Sequence, residues 1–226
     1  MEKNSKMIDQ EMRNSLSACG FDIVHPCSLA NLEESILSSL SIDDPSGKIG
    51  YLVGNTRTVW DPFIKWLSQR PEWSDIVDPL ETFVEQSIER CAGNHSGLFW
   101  THETEQYIVP VQRMAHQSGL AYLSAGQFNI HPRLGPWFAL RAVLIVPGED
   151  VDGTNSLIPN PCTNAIESQA AALFDRLLQK KGTWEEWLSL RDLYDVGREY
   201  RYSDEQIRYH YTRDKTVLFE EVNKVQ

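Results

Sequence analysis

Ile130-His131-Pro132-Arg133-Leu134-Gly135-Pro136-Trp137-Phe138-Ala139-Leu140-Arg141-Ala142-Val143-Leu144-Ile145-Val146-Pro147-Gly148 joins a turn bearing His and Arg to a long apolar strand that carries a second Arg. Core strands are ordinarily apolar or alternating. An inward Arg keeps its charge at any working pH, so it needs an anionic partner: a protein carboxylate, or the carboxylate or phosphate of a ligand. The run therefore predicts both a long apolar strand and a place where that strand meets charge.

Outward from this strand, periodicity near two continues upstream in Leu98-Phe99-Trp100 and Leu120-Ala121-Tyr122-Leu123. Nearer the start, Phe21-Asp22-Ile23-Val24 alternates, and Lys48-Ile49-Gly50-Tyr51-Leu52-Val53, closed by Gly54-Asn55, reads as a buried strand. Ser38 to Gly47 is a polar loop. Helical stripes flank these strands. Met7, Ile8, Met12 and Leu16 stop before Gly20; Trp60, Phe63, Ile64 and Leu67 end at Pro71; Leu80, Phe83, Val84 and Ile88 lie between Pro79 and Cys91. Val151 to Pro161, rich in Asp, Gly, Asn and Pro, is a connector. Asn164 is expected to cap a helix with Glu167 at its third position and Ile166, Ala170, Leu173, Leu177 and Leu178 as its apolar face. Further helices are expected over Thr183–Asp195 and, from the capping box Ser203-x-x-Gln206, through Tyr211. Helices before, within and after the strands predict an α+β layer architecture with a mixed sheet covered by helices. The expected organisation is a single domain over residues 1–226, with a C-terminal helical segment from about 164 packed on it.

Composition narrows the function classes. At 226 residues, 41% hydrophobic and 23% charged, the chain has enough apolar material for one large core. A net charge of −11 argues against wrapping a nucleic-acid backbone or an anionic membrane, though it permits a local basic pocket. Cys19, Cys27, Cys91 and Cys162 form no C-x-x-C pair and have no finger-like His, so neither a zinc site nor a dithiol motif is expected. The start, Met1 to Lys6, lacks an apolar targeting core, and no window approaches the roughly 18 apolar residues of a membrane span, so a cytoplasmic, soluble protein is expected.

Five blocks resemble the cblC-type (MMACHC) intracellular cobalamin-processing proteins. They are Cys19-Gly20-Phe21; Tyr51-Leu52-Val53 with Trp60-Asp61 and Asp78-Pro79; Ala115-His116 with Gly119 and Ala121-Tyr122; His131-Pro132-Arg133 through Arg141 to Pro147-Gly148; and Trp184-x-x-Trp187 to Arg191-Asp192 with Arg201-Tyr202-Ser203-x-Glu205-Gln206. Their order also agrees with the family. The chain departs from it in the short Leu123–Asn129 connection, in Gly135-Pro136 where the family has Gly-Gly, and in lacking a Pro-rich tail.

The resemblance implies a flavin nitroreductase-like α+β sandwich that holds cobalamin base-off and removes its upper axial ligand. Alkylcobalamins would be dealkylated with glutathione, and cyanocobalamin decyanated reductively with electrons from reduced FAD or FMN or from glutathione. It places His116 at the corrin pocket near the cobalt face, with Tyr122, Asn129, Ile130, His131, Arg133, Trp137 and Phe138 as further candidates around the cofactor. The resemblance also implies a lower cobalt position left unfilled, and the chain has no D-x-H-x-x-G motif, so no protein ligand to cobalt is expected. Arg141 and Arg191 are the residues implied for glutathione and catalysis, with a third basic group at Arg213 or Lys215. A cblD-type adaptor is the implied protein partner, and the chain is expected to be a monomer or weak homodimer.

Plain structural readings stand beside these. Arg191 could pair with Asp192 or Asp195, and Arg141 across the sheet. His131-Pro132-Arg133 could be a scaffold joint, Tyr122, Trp137 and Phe138 plain core, and Trp184/Trp187 helix packing. Two other functions also fit: a cobalamin carrier without turnover, and a flavin-dependent nitroreductase with no corrinoid.

Overall fold

The computed structural model describes residues 2–93, 95, 97–148 and 156–225. Its strands are β1 (Ile23–Cys27), β2 (Lys48–Asn55), β3 (Gly97–Trp100), β4 (Tyr122–Leu123), β5 (Asn129–Ile130) and β6 (Ala139–Pro147). Its helices are α1 (Glu2–Ala18), α2 (Glu34–Ser39), α3 (Trp60–Ser68), α4 (Pro79–Ala92), α5 (Val111–Gln117), α6 (Asn164–Lys180), α7 (Trp184–Asp192), α8 (Asp204–Thr212) and α9 (Lys215–Val225). The strand predicted at 137–146 is β6, and it does lie inside a sheet, of order β1-β2-β6-β3.

Because side chains alternate along a strand, β2 and β6 each feed two cores. Ile49, Tyr51, Val53, Ala142 and Leu144 face one side, where α1, α3, α4 and α9 bring Leu16, Phe63, Leu67, Val84 and Leu218. Leu52, Val143 and Ile145 face the other, against Ile36 of α2 and Met114 and Ala115 of α5. Phe63, Leu67 and Leu80 are fully buried, each worth about 1.5–3 kcal/mol of apolar transfer. A third cluster joins Ile130 to Ala170 of α6 and Leu190 of α7, and a fourth joins Trp137 to Tyr202 and Ile207. Thus α6, α7 and α8 pack on the segment between β5 and β6. This leads the turn before β6 directly under the C-terminal helices.

The α+β layering expected from the sequence is observed, with several differences of detail. Every described strand pair is antiparallel, where a mixed sheet was expected. Only Tyr122 and Leu123 of the 120–123 segment pair as a strand; Leu120 and Ala121 turn out of α5, their amides donating to the Ala115 carbonyl. The cap of α6 is Thr163, whose hydroxyl accepts from Ile166 N, so Asn164 is already the first helical residue. Leu178 points outward, 58% exposed, because α6 buries only the stripe through Ala170 and Leu177. The short α2 and α5 had no counterpart in the sequence reading, while α9 lies within the C-terminal helical segment expected from about 164. Of the connector predicted at 151–161, residues 151–155 lie outside the described residues, and 156–161 contain no helix or strand.

One irregularity bears on function. In the β2–β6 ladder Val53 opposes Ala142 but Gly54 opposes Leu140, so Arg141 is the extra residue of a bulge. Bulges re-aim the side chain of the residue they leave unopposed. Gly54 makes the tight approach possible: a Cβ there would sit 2.4 Å from the Ala139 carbonyl oxygen.

A cationic cavity between the central strand and the C-terminal helices

Arg141 is buried, and its bonds follow from the bulge. Nε donates to Asn55 Oδ1 at 2.9 Å, and Nη1 lies 3.5 Å from Glu81 Oε1 on α4. Its Nη2 is buried with no hydrogen-bond partner among the described residues. Glu81 also receives Arg213 Nη2 at 3.0 Å and has His102 Nδ1 at 3.4 Å. Burial pushes the Glu81 carboxyl up, but the Arg141 charge, then Arg213 and His102, outweigh it and hold the group below its usual value. A depressed carboxyl stabilises the fold above the unfolded-state pKa and ceases to do so as pH falls through the folded value. We therefore expect urea midpoints of the wild type to fall on acidification below about pH 4.3, the ordinary Glu value, and Glu81→Gln to flatten that slope. An unchanged slope in Glu81→Gln would refute the assignment.

Arg191, on α7, does not pair with either neighbouring acid. Asp192 is taken by Arg201 at 3.0 Å, and Asp195 by Arg198. Instead Nε and Nη2 of Arg191 donate to the Pro136 carbonyl at 3.1 and 2.6 Å, and Nη2 also to that of Phe138 at 3.3 Å. The guanidinium lies over Trp137 and Tyr202, with centroids at 4.6 and 4.9 Å. The signature turn thus orients Arg191, and Trp137 is its stacking floor.

Both arginines border one cavity of about 380 Å³. Pro136, Phe138, Tyr202, His210 and Tyr211 line it with them, and Thr101, Gln112 and Asn129 stand on the α5 and β3 side. Tyr202 is nearly fully buried, close to the Arg191 guanidinium, and its Oη, like Arg141 Nη2, makes no well-formed hydrogen bond among the described residues. Burial pushes its phenol up against the pull of Arg191 and Arg141, so it remains a donor. His210 follows Gln206 by one turn of α8, its Nε2 3.5 Å from the Gln206 amide nitrogen. Burial, then the charges of Arg141, Arg191 and Arg213, hold it well below the ordinary histidine value, so it is neutral. Two cations, two orphaned buried polar atoms and neutral rings make this a site for a small anion of the size usual for such cavities, about 300–1,000 Å³.

The other sequence candidates fall into three groups. Asn129 and Phe138 join the arginines at the cavity, Asn129 held by its amide's bond to the Gln112 carbonyl. His116 lies one turn beyond Gln112 on α5, accepts from Leu123 N at 3.3 Å and meets the Tyr122 ring edge-on at 5.5 Å. These two form a half-buried pair beside the cavity wall. The remainder hold the frame. Ile130 and Trp137 are core side chains. His131 Nδ1 accepts from Arg133 N and Leu134 N, closing the turn, and burial, with Arg133 and His25, pushes it down to about 4. Arg133 is exposed, 5.7 Å from the Tyr200 ring. Arg213 acts behind Arg141 through Glu81, and Lys215 Nζ is spent on the carbonyls of Ser74 and Ile76 at 2.8 and 2.6 Å.

Sequence reasoning missed His210, Tyr211, Asn55 and Glu81. His210 had a faint signal, since the Ser203-x-x-Gln206 box fixes the frame of α8 and puts residue 210 on the inward face with Gln206.

Comparison with known proteins follows the same lines. A model of the methylmalonic aciduria and homocystinuria type C family matches residues 124–218, which hold β5, β6 and α6 to α8. The chain is 26% identical to the human cyanocobalamin reductase / alkylcobalamin dealkylase, covering 94% of this chain and 80% of that protein. It is 27% identical to the protein of the same name in Danio rerio, covering 88% and 86%. The fold matches the crystal structure of a C. elegans B12-trafficking protein CblC, a human MMACHC homologue, with a TM-score of 0.74 at 19% identity over 100% of this chain and 99% of that one. Family model, curated relatives and fold together bear out the resemblance to the type C family that the run from His131 to Gly148 carries.

Proposed function

We propose that this chain processes cobalamin, removing the upper axial ligand of alkylcobalamins by transfer to glutathione and that of cyanocobalamin by reduction. Cobalamin is taken from the relatives, which carry both activities in their name and match along nearly the whole chain. The observation that carries the glutathione part is the cavity with Arg141 Nη2 and Tyr202 Oη unpartnered beside Arg191. Its volume suits a small peptide thiol and is too small for a corrinoid, so the corrin lies outside, toward His116, Tyr122, Asn129 and Phe138. Arg141 and Arg191 seat the carboxylates and favour thiolate over thiol. The thiolate attacks the cobalt-bound carbon, and cob(I)alamin and a thioether leave.

The same guanidiniums suit the phosphate of FMN or FAD, and a reduced flavin there would supply electrons for decyanation. A cytoplasmic location, a cblD-type adaptor and a monomer or weak homodimer complete the proposal. Among the described residues, no helix is long and apolar enough to cross a membrane.

Anaerobic titration with methylcobalamin, followed by glutathione, tests this reading. A base-on to base-off absorbance shift and then S-methylglutathione are expected. A shift without thioether would turn the assignment to a carrier, and no shift would remove cobalamin from it.

A further inference from the structure

The proposed thiol leaves a proton unaccounted for. A thiol of ordinary pKa, about 8.5, is only a few per cent ionised at neutral pH. The arginines that favour its thiolate cannot take the proton, because a guanidinium has no acceptor. Tyr202 and Tyr211 cannot either, since burial pushes both phenols up and keeps them protonated. Thr101 Oγ1 donates to the Leu140 carbonyl, and Gln112 and Asn129 are amides. Among the described residues that line the cavity, this leaves one side chain with a basic nitrogen: His210.

Resting on the glutathione reading above, we propose that His210 is the base that accepts the thiol proton of the bound co-substrate. The S–H proton passes first to the imidazole, leaving a thiolate; its sulfur then forms the S–C bond as the Co–C bond breaks. The electron pair of that bond stays on cobalt as cob(I)alamin. The imidazolium then loses its proton to solvent once the thioether leaves, so the step balances as thiol plus alkylcobalamin giving thioether, cob(I)alamin and one proton.

The surroundings of His210 make this basicity conditional. The charges that face it are all positive: Arg141 from β6, Arg191 from α7 and Arg213 from the end of α8. The other faces are Trp60 of α3 at 6.5 Å, Tyr202 at 5.4 Å, Tyr209 at 6.4 Å and the Gln206 amide. In the empty cavity a proton on His210 is opposed by burial and by three guanidiniums. Glutathione brings two carboxylates and a nascent thiolate, against one ammonium, among those cations, which offsets their repulsion and makes imidazolium acceptable. His210 therefore becomes a base only when its proton donor is present. The cavity can remain cationic and attractive to the anion without carrying a charged histidine that repels its own arginines.

Two measurements decide it. In the wild type, ¹⁵N-histidine NMR should show His210 neutral when the protein is free, protonated with glutathione, and neutral with S-methylglutathione, which has the carboxylates but no thiol proton. A His210 that stays neutral with glutathione overturns the proposal, whatever any variant does. In single turnover with methylcobalamin at saturating glutathione, His210→Gln and His210→Phe should slow thioether formation about 100-fold at pH 7, the usual lower range for a general base. Their rate should climb about tenfold per pH unit toward the wild-type value, with the Kd for S-methylglutathione within threefold. Variants with the wild-type rate and pH profile would overturn His210 alone. A wild type that makes no thioether would overturn the glutathione reading together with the base.

Discussion

Arg141→Ala is expected to lower kcat/KM for glutathione-dependent dealkylation of methylcobalamin by roughly 100-fold while leaving the base-off absorbance shift within a few-fold. The estimate takes about 3 kcal/mol for losing a charge-assisted bond from Nη2 and leaving a ligand carboxylate poorly matched in a desolvated cavity, at 1.4 kcal/mol per tenfold. The variant also disturbs the protein, because Arg141 is one of two arginines, with His102 beside them, around the buried Glu81. Removing it leaves that carboxylate with Arg213 and His102 alone. A lower melting temperature should accompany the lost activity, and the double variant Arg141→Ala/Glu81→Gln separates the two effects. It should recover much of the stability and none of the turnover. Thioether formation by Arg141→Ala at the wild-type rate would show that the bulged arginine is structural, and the cavity would lose its proposed occupant.

The second large effect is expected at Gly135. It lies at φ +59°, and a Cβ there would stand 1.8 Å from the Val196 carbonyl oxygen, with Gly197 packed against Leu134 from the other side. The turn resists withdrawal, since Gly135 and His131 exchange both amide bonds across it. Gly135→Ala should therefore cost about 3 kcal/mol or more, the range of backbone strain combined with overpacking, and lower Tm by roughly 6–12 °C in a chain of this size. Activity should fall further than stability alone explains, because Pro136, the next residue, supplies the carbonyl that orients Arg191. Gly47→Ala is the control. It shares a positive φ, +66°, but has nothing within 4 Å of the added methyl, so only the backbone strain of about 1–2 kcal/mol remains. Equal losses in the two variants would refute the close approach.

Both residues lie in the run that decides the fold, yet the sequence discloses them unequally. The apolar stretch after Trp137 announces a central strand because period and burial are local properties of that segment. The same holds for the stripes that became α3 and α4, where Trp60, Phe63, Ile64 and Leu67 are all buried as their spacing implies. Arg141 was legible as an inward charge, but its partners were not. Asn55 and Glu81 lie 86 and 60 positions away, and only a β-bulge and the packing of α4 bring them together. Register shifts leave no mark on composition. Arg191 was read with two neighbouring acids as its plain alternative, a sound helix-surface rule that failed because Arg201 and Arg198 claim those acids first. His210 is least legible, being an ordinary histidine in a polar helix until Arg141 of β6 and Arg191 of α7 join Arg213 of its own helix end around it. The short α2 was missed because Glu34–Ser39 has too few turns for a stripe to show.

The cavity draws its walls from Thr101 near the middle of the chain to Tyr211 close to its end. A polypeptide emerging from the ribosome completes the sheet long before α8 exists, so it passes through a stage with a formed central strand and an open, unlined trough. Release of residues 202–212 delivers Tyr202 and the α8 residues His210 and Tyr211 together, and with α7 already carrying Arg191, the cavity would assemble in one late docking event rather than residue by residue. A nonsense change between residues 195 and 202 would then leave a chain with most of its apolar core encoded but without Tyr202, His210 and Tyr211 to complete the cavity. In this architecture reactivity is the last property the nascent protein acquires.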